Sequence, residues 1–259
     1  MKKTLSLLLV LVMALGLLAG CSSKKNSDLK LVEPGKLIMS TNAAFPPYEF
    51  VGDDGEFAGI DVEIAGAIAK KLGLELQVDD MGFTAALEAA QSGSSDLIMA
   101  GVTVTDERKA VMDFSNSYAT GVQVVIVRED SSIHTIDDLD GKAIGCQMGT
   151  TGYIFASDKP ENGGYGEKMV TPYDNGMTAV QALKGGQIDA VIIDKAPALT
   201  YVKDNPGLKV LETEWLVEDY AIGFAKNNTE LVNAVNNALT ELTEDGTVQA
   251  IIDKYIKAN

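Results

Sequence analysis

Arg108 stands in the first turn after Thr105-Asp106-Glu107, a stretch that reads as a helix N-cap followed by two acids. A cation there opposes the helix dipole, so the arginine needs another partner: a carboxylate held bidentately by its planar fork, or a neighbouring surface acid. Thr103 offers a hydroxyl just upstream, where the buried run Leu97–Met99 ends at Ala100-Gly101. Asp194 closes a second apolar run, Asp189–Asp194, ahead of Lys195-Ala196-Pro197, and reads either as a helix N-cap or as a carboxylate able to hold an ammonium group. Gly149-Thr150-Thr151-Gly152 follows a strand-like segment. It is either a Thr-capped strand-to-helix turn or a nest of N–H groups and hydroxyls for an anion. Phe45, in a loop stiffened by Pro46 and Pro47, and Phe83, at the head of a helical stretch, are core aromatics or facing walls of a pocket.

Those groups must be held by elements, and β-rich runs alternate with helical patterns along most of the chain. Strands are expected at 36–40, 74–79, 96–100, 122–128, 142–147, 189–194, 209–211 and 220–225. Helices are expected at 60–72, 84–92, 177–184, 230–243 and 248–256. This alternation implies a largely parallel sheet covered by helices. An internal echo sharpens it: A-L-E-A-A-Q-S-G-S-S-D-L-I-M-A-G ends at Gly101, and A-V-Q-A-L-K-G-G-Q-I-D-A-V-I-I-D ends at Asp194. In each, an amphipathic helix runs to a glycine (Gly93, Gly186), then an aspartate (Asp96, Asp189), then a buried strand. Two similar α/β lobes follow, with Gly101 and Asp194 at equivalent strand ends, where open α/β sheets bind ligands. Two long β-like runs, 118–128 and 218–225, would then cross between lobes as a hinge. The reading divides the chain into residues 36–122 and 219–259 for lobe 1 and 123–218 for lobe 2.

The N-terminus is basic, then apolar from Leu5 to Leu18, then Leu18-Ala19-Gly20-Cys21. The apolar run, roughly fourteen residues, is short for a membrane span and has the layout of a secretory signal. Residues 1–20 are expected to be removed. Leu-Ala-Gly-Cys resembles a bacterial lipobox, in which Cys21 is acylated and anchors the protein to the membrane. Residues 21–35 are then a tether. The chain carries 37 acidic against 21 basic residues, a formal charge of −16, which argues against nucleic acid and anionic lipid as partners. Cys146 is the other cysteine and His134 the single histidine, so a disulfide framework, a metal site and a His-based triad are not expected. No cofactor is implied.

The motifs together resemble a known family. Phe45-Pro-Pro-Tyr-Glu-Phe50, Gly59-Ile-Asp-Val-Glu63, Ala100-Gly-Val-Thr-Val-Thr-Asp-Glu-Arg108, Asp113-Phe-Ser115, Gly149-Thr-Thr-Gly152, Asp189–Asp194 and Asp245-Gly-Thr247 are similar, in order and spacing, to the periplasmic solute-binding proteins for polar amino acids. The likeness covers 36–257. It implies a two-lobed α/β fold, each lobe a largely parallel sheet flanked by helices, joined by two hinge strands. It also implies a non-enzymatic, monomeric, lipid-anchored extracytoplasmic receptor that hands its amino acid to an ABC permease.

By position, the resemblance implies that Arg108 clamps the ligand α-carboxylate with Thr103, Thr150 and Thr151. It implies that Asp194 and the Gly101 carbonyl hold the α-ammonium and that Phe45 and Phe83 sandwich the side chain; Ala100 is a further ligand-binding candidate, and Met148 a candidate for the side-chain pocket. Asn42 matches a position that is often aspartate in members taking cationic or amide side chains; an amide there favours a neutral polar ligand. Asp79 and Asp80 are further candidates for the side-chain pocket. Two other readings stay open: a sensor acting through a separate membrane partner, and a dehydratase for prephenate-like acids on the same scaffold, which would need a general acid in the cleft.

Overall fold

A run such as Leu37-Ile38-Met39, apolar on both sides of the pleat and fully covered, forms a strand only inside a sheet with helices on both faces. The computed structural model describes residues 29–256 apart from residue 213. The expected signal segment 1–20 and Cys21 lie outside the described residues. By contacts, Leu31–Asn259 makes one unit. The tether ends earlier than the sequence suggests, because the Val32 N–H is already bonded to Asp96 Oδ1 at 2.8 Å.

The strands are β1 (Lys36–Thr41), β2 (Ala44–Phe45), β3 (Glu49–Val51), β4 (Phe57–Ala58), β5 (Glu75–Asp80), β6 (Leu97–Ile98), β7 (Met112–Arg128), β8 (Ile144–Gln147), β9 (Val170–Tyr173), β10 (Ala190–Asp194), β11 (Leu208–Val210) and β12 (Leu216–Ala225). The α-helices are α1 (Ile60–Leu72), α2 (Phe83–Ser92), α3 (Asp106–Val111), α4 (Thr151–Ser157), α5 (Gly176–Lys184), α6 (Lys195–Asp204), α7 (Thr229–Glu244) and α8 (Thr247–Tyr255). The main sheet runs β5-β1-β6-β12-β7-β10-β8-β9, with β11 added to β7. At one end β5, β1 and β6 are parallel, and at the other β10, β8 and β9 are parallel. Each trio therefore has the order second, first, third, and the antiparallel ribbon β7–β12 joins them.

The internal echo is structural as well as textual. Asp96 accepts the Ile38 N–H at 2.7 Å, and Asp189 accepts the Ala143 N–H at 3.0 Å. In each half the aspartate ahead of the third strand ties down the first strand, which fixes the parallel register. Gly93 and Gly186 both take positive φ, 76° and 72°, where the helix turns back toward that aspartate.

The departures from expectation are local. The stretch 42–50 is not a bare loop: β2 and β3 pair as a hairpin and β4 extends it to a three-stranded sheet. The long β7 runs unbroken for 17 residues, pairing with β12 along its first part and with β10 and β11 along its second. β6 holds two residues instead of five, because the chain leaves the sheet after Ile98 and turns at Gly101, whose φ of 55° favours glycine. β9 carries no clear periodic signal and was not anticipated. One buried cluster, including Phe83, Ala86, Ala90, Ile98 and Met112, lies beneath the first half, and another, including Val125, Val127, Ile144, Cys146 and Ile192, beneath the second.

Candidate functional site

The carboxyl ends of β1, β6, β8 and β10 face a common cavity lined by Asn42, Phe45, Glu49, Phe83, Ala100, Gly101, Thr103, Arg108, Gln147, Thr150, Thr151 and Asp194. The atom-free space between these residues is about 340 Å³, counting the part open to solvent.

Arg108 reaches it from α3, whose N-cap Thr105 accepts the Arg108 N–H at 3.2 Å as the sequence suggests. Among the described residues the guanidinium has no acid partner at ion-pair distance. Nη1 donates to the Thr103 carbonyl at 2.8 Å, Nη2 to the Gly149 carbonyl at 3.1 Å, and Cζ lies 5.6 Å from the centre of the Phe83 ring. Burial lowers its pKa, opposed by the charge of Glu218. A desolvated guanidinium bonded only to neutral carbonyls is an anion site awaiting a charge.

Asp194 arrives from the other half. It sits at the N-cap of α6 by backbone geometry, yet its side chain makes no cap bond. Instead Oδ1 accepts the Tyr220 hydroxyl and Oδ2 accepts Gln123 Nε2 at 2.9 Å. Burial pushes its carboxyl up to about 7, the charge of Glu218 adds to this, and the bonds from Tyr220 and Gln123 oppose it. Gln123 Nε2 also bonds Glu218 Oε2 at 2.9 Å, so one amide separates two buried carboxyl groups.

The remaining expected residues divide. Phe45 and Phe83 both line the cavity, and Phe83 also belongs to the core cluster, so its two readings hold together. The Phe45 ring stacks on Tyr48, which meets Tyr220 edge-on. Ala100, Gly101 and Thr103 line the floor, with Gly101 N–H bonded to Asp61 Oδ2 at 3.0 Å. Thr151 is buried at the wall. Thr150 lines it too, but its hydroxyl caps α4 by accepting Tyr153 N–H and donates to the Gln147 carbonyl, as the capping reading has it.

Asn42 lines the cavity with its amide already engaged, Nδ2 to the Met81 carbonyl and Oδ1 from Gln147 Nε2. Met148 is not brought to the site: it follows β8 with its side chain 46% exposed and outside the lining, since alternation along the strand turns it away from Gln147. Asp79 and Asp80 are also outside it; Asp80 bonds the Ala43 N–H and Asp79 accepts from Gln77. Glu49 and Gln147 line the cavity and were missed, as was the Gln123, Tyr220 and Glu218 network behind Asp194. Among the described residues no cluster of acids, histidine and cysteine is placed to hold a metal ion, and no helix is long and apolar enough to cross a membrane.

Cavity and topology together describe a two-lobed α/β ligand-binding fold, each lobe a largely parallel sheet with helices, joined by two crossing strands. Residues 37–258 match the bacterial extracellular solute-binding proteins, family 3, and the chain belongs to that family. It is 34% identical over 255 residues to the L-cystine-binding protein TcyJ of Escherichia coli strain K12, covering 96% of this chain and 94% of that protein. It is 35% identical over 259 residues to the arginine-binding extracellular protein ArtP of Bacillus subtilis strain 168, covering 98% of each. Among solved structures, an ancestral arginine-binding protein bound to arginine superposes with a TM-score of 0.80 at 39% identity, over 86% of this chain and 98% of that one.

Proposed function

We propose that this chain is the extracytoplasmic binding component of an ABC importer, and that it captures a polar L-amino acid and presents it to the membrane permease. The observation that carries this reading is the convergence of one half-buried cation and one buried acid, Arg108 and Asp194, from opposite halves of the sheet onto one cavity. Relatives named for cystine and arginine support the amino-acid class.

In this reading the α-carboxylate replaces the Thr103 and Gly149 carbonyls on the Arg108 fork, with the Thr151 hydroxyl beside it. The α-ammonium docks on Asp194 and the Gly101 carbonyl, and the side chain lies between Phe45 and Phe83. Charge-assisted hydrogen bonds contribute roughly 1.5–3 kcal/mol each. Three or four of them, less the cost of closing, reach the roughly −8 kcal/mol of a micromolar complex. Arg108 and Asp194 reach the cavity from opposite halves, so the two lobes, 36–122 with 219–259 and 123–218, part for entry and close on a ligand held by both. The Asp194 oxygens are both engaged by Tyr220 and Gln123, which suits a fixed ammonium site better than a proton-transferring acid and favours a binder over an enzyme. We further infer a monomer held at the membrane through acylated Cys21.

A thermal-shift panel of the twenty L-amino acids plus ornithine, citrulline and cystine tests the function. A ligand stabilises by an amount that grows with the logarithm of its saturation, so one polar amino acid should raise the melting temperature by several degrees. No shift with any of them at millimolar concentration would sink the reading. For the anchor, Cys21→Ala should release the protein from the membrane fraction.

A further inference from the structure

Three polar side chains form a row across three neighbouring strands, and a ligand would meet only the first of them. Asp194 on β10 pairs directly with Gln123 on β7, and Gln123 pairs with Leu216 on β12. Glu218 lies two residues past Leu216, so the alternation of side chains sets Asp194, Gln123 and Glu218 on one face of the sheet. All three are buried. Asp194 lines the cavity, while Gln123 and Glu218 lie behind it.

One amide joins the row. Gln123 Nε2 donates to Asp194 Oδ2 and to Glu218 Oε2, each at 2.9 Å. That leaves Gln123 Oε1 and Glu218 Oε1 buried with no hydrogen-bond partner among the described residues. Two orphaned oxygens beside a second buried acid cost stability that an apolar pair would not, and local rules are broken in this way where a site requires it.

What the row supplies is direction and charge. Asp194 makes no cap bond to α6, so its carboxyl group is aimed by Gln123 from β7 and by the Tyr220 hydroxyl from β12. Gln123 is aimed in turn by Glu218. In the proposed division 123 and 218 are the first and last residues of lobe 2, so the bridge would travel with Asp194 when the lobes part. The Glu218 charge acts on Asp194 across that single amide and also reaches Arg108, with which it does not pair. The other charged or titratable groups that face Asp194 are Arg108 on α3, Glu49 on β3, Tyr48 between β2 and β3, and Tyr220 on β12.

We propose that Glu218 is a positioning residue of the ammonium site: through the Gln123 amide it aims the Asp194 carboxylate at the cavity, and its charge strengthens the hold on a ligand ammonium. This rests on the amino-acid-binding reading above. The charge has a signature in pH. At pH 8 Asp194 is ionised before the ligand arrives, so Glu218 adds its own pull on the ammonium. At pH 5 Asp194, pushed up to about 7, carries a proton that the ammonium must displace into solvent. Glu218 attracts both positive charges alike there, and its contribution cancels.

The test is calorimetric titration of the wild type, Glu218→Gln and Gln123→Met at pH 5 and pH 8, with whichever amino acid of the thermal-shift panel most stabilises the wild type. Glu218→Gln keeps an oxygen for Gln123 and drops the charge. It should weaken binding about fivefold at pH 8 and less than about twofold at pH 5. Gln123→Met cuts the bridge with both acids in place and should weaken binding about fivefold or more at both pH values. Melting temperatures without ligand show that each variant is folded. An equal loss at both pH values in Glu218→Gln, as from a merely structural acid, would overturn the proposal while leaving amino-acid capture intact. So would wild-type affinity at pH 8 in Glu218→Gln, or in Gln123→Met, which decides by itself if Glu218→Gln does not fold. A wild type that no member of the panel stabilises would remove both readings.

Discussion

The side-chain amide of Gln147, at the end of β8, donates a 2.8 Å hydrogen bond to the amide oxygen of Asn42, just beyond the end of β1. The bond spans the cavity and ties first strand to first strand of the two halves, and Gln147 also holds the Asp174 carbonyl. Asn42→Ala removes the acceptor and leaves the Gln147 amide half-satisfied. The expected loss is about 1 kcal/mol of closed-state stability, or about fivefold in ligand affinity, with folding unaffected. Titration calorimetry beside circular dichroism checks both halves of that statement.

Among the described residues Arg108 is bonded to main-chain carbonyls and to nothing acidic, so its removal should deprive the fold of little and, on the proposed reading, the ligand of its anion clamp. Arg108→Ala should weaken amino-acid binding by more than about a hundredfold, the worth of two charge-assisted bonds. The far-ultraviolet spectrum should not change. Arg108→Lys keeps the charge but not the fork and should recover only part of the loss. Undiminished affinity in Arg108→Ala would remove the assigned role.

The buried acids set a pH dependence of definite sign. Asp194 is pushed up to about 7 and Asp61 to about 6, so the folded chain holds protons that an unfolded aspartate has already released. Between about pH 4.5 and 7 the native state is the more protonated, and stability without ligand should fall as pH rises. Asp194→Asn should flatten that slope in thermal melts. Wild-type affinity for an amino acid should move the other way and strengthen toward about pH 8, because the ligand ammonium meets a carboxylate only once Asp194 is ionised.

Gly121 lies on β7 against the site. A Cβ there would sit 2.3 Å from the Tyr220 hydroxyl and 2.6 Å from Asp194 Oδ1. Gly121→Ala should therefore displace one of the two, with about 1–3 kcal/mol lost in stability and binding impaired although residue 121 is not among the cavity's lining residues. Thermal melts and calorimetry of the same preparation separate the two effects.

Much of this architecture could be read from the residues. The helix limits at 60–72 match to the residue, because Gly59 precedes the helix and Gly73, in the left-handed region, ends it. Asp96 and Asp189, each shortly after a helix-ending glycine, mark the two halves in the sequence, and each ties down the first strand of its own half. Arg108 and Asp194 were legible because each breaks a local rule, a cation in a first turn and an acid at the end of a buried strand. Glu49, Gln147 and Gln123 were not. Glu49 sits in a hairpin that short, proline-flanked runs conceal, and the glutamines lie inside strands, where only long-range pairing decides which way a side chain faces.

Tyr220 belongs to two things at once. It lies where the pairing of β12 with β7 slips register, between Tyr220 and Ala221, and its hydroxyl is bonded to Asp194. Any flexing of the ribbon is thus felt at the acid on which the ligand ammonium would rest, and any change at that acid pulls on the ribbon. On the proposed reading occupancy would be converted to shape within a single side chain, so substitutions along β12 outside the cavity would retune how readily the ligand is let go.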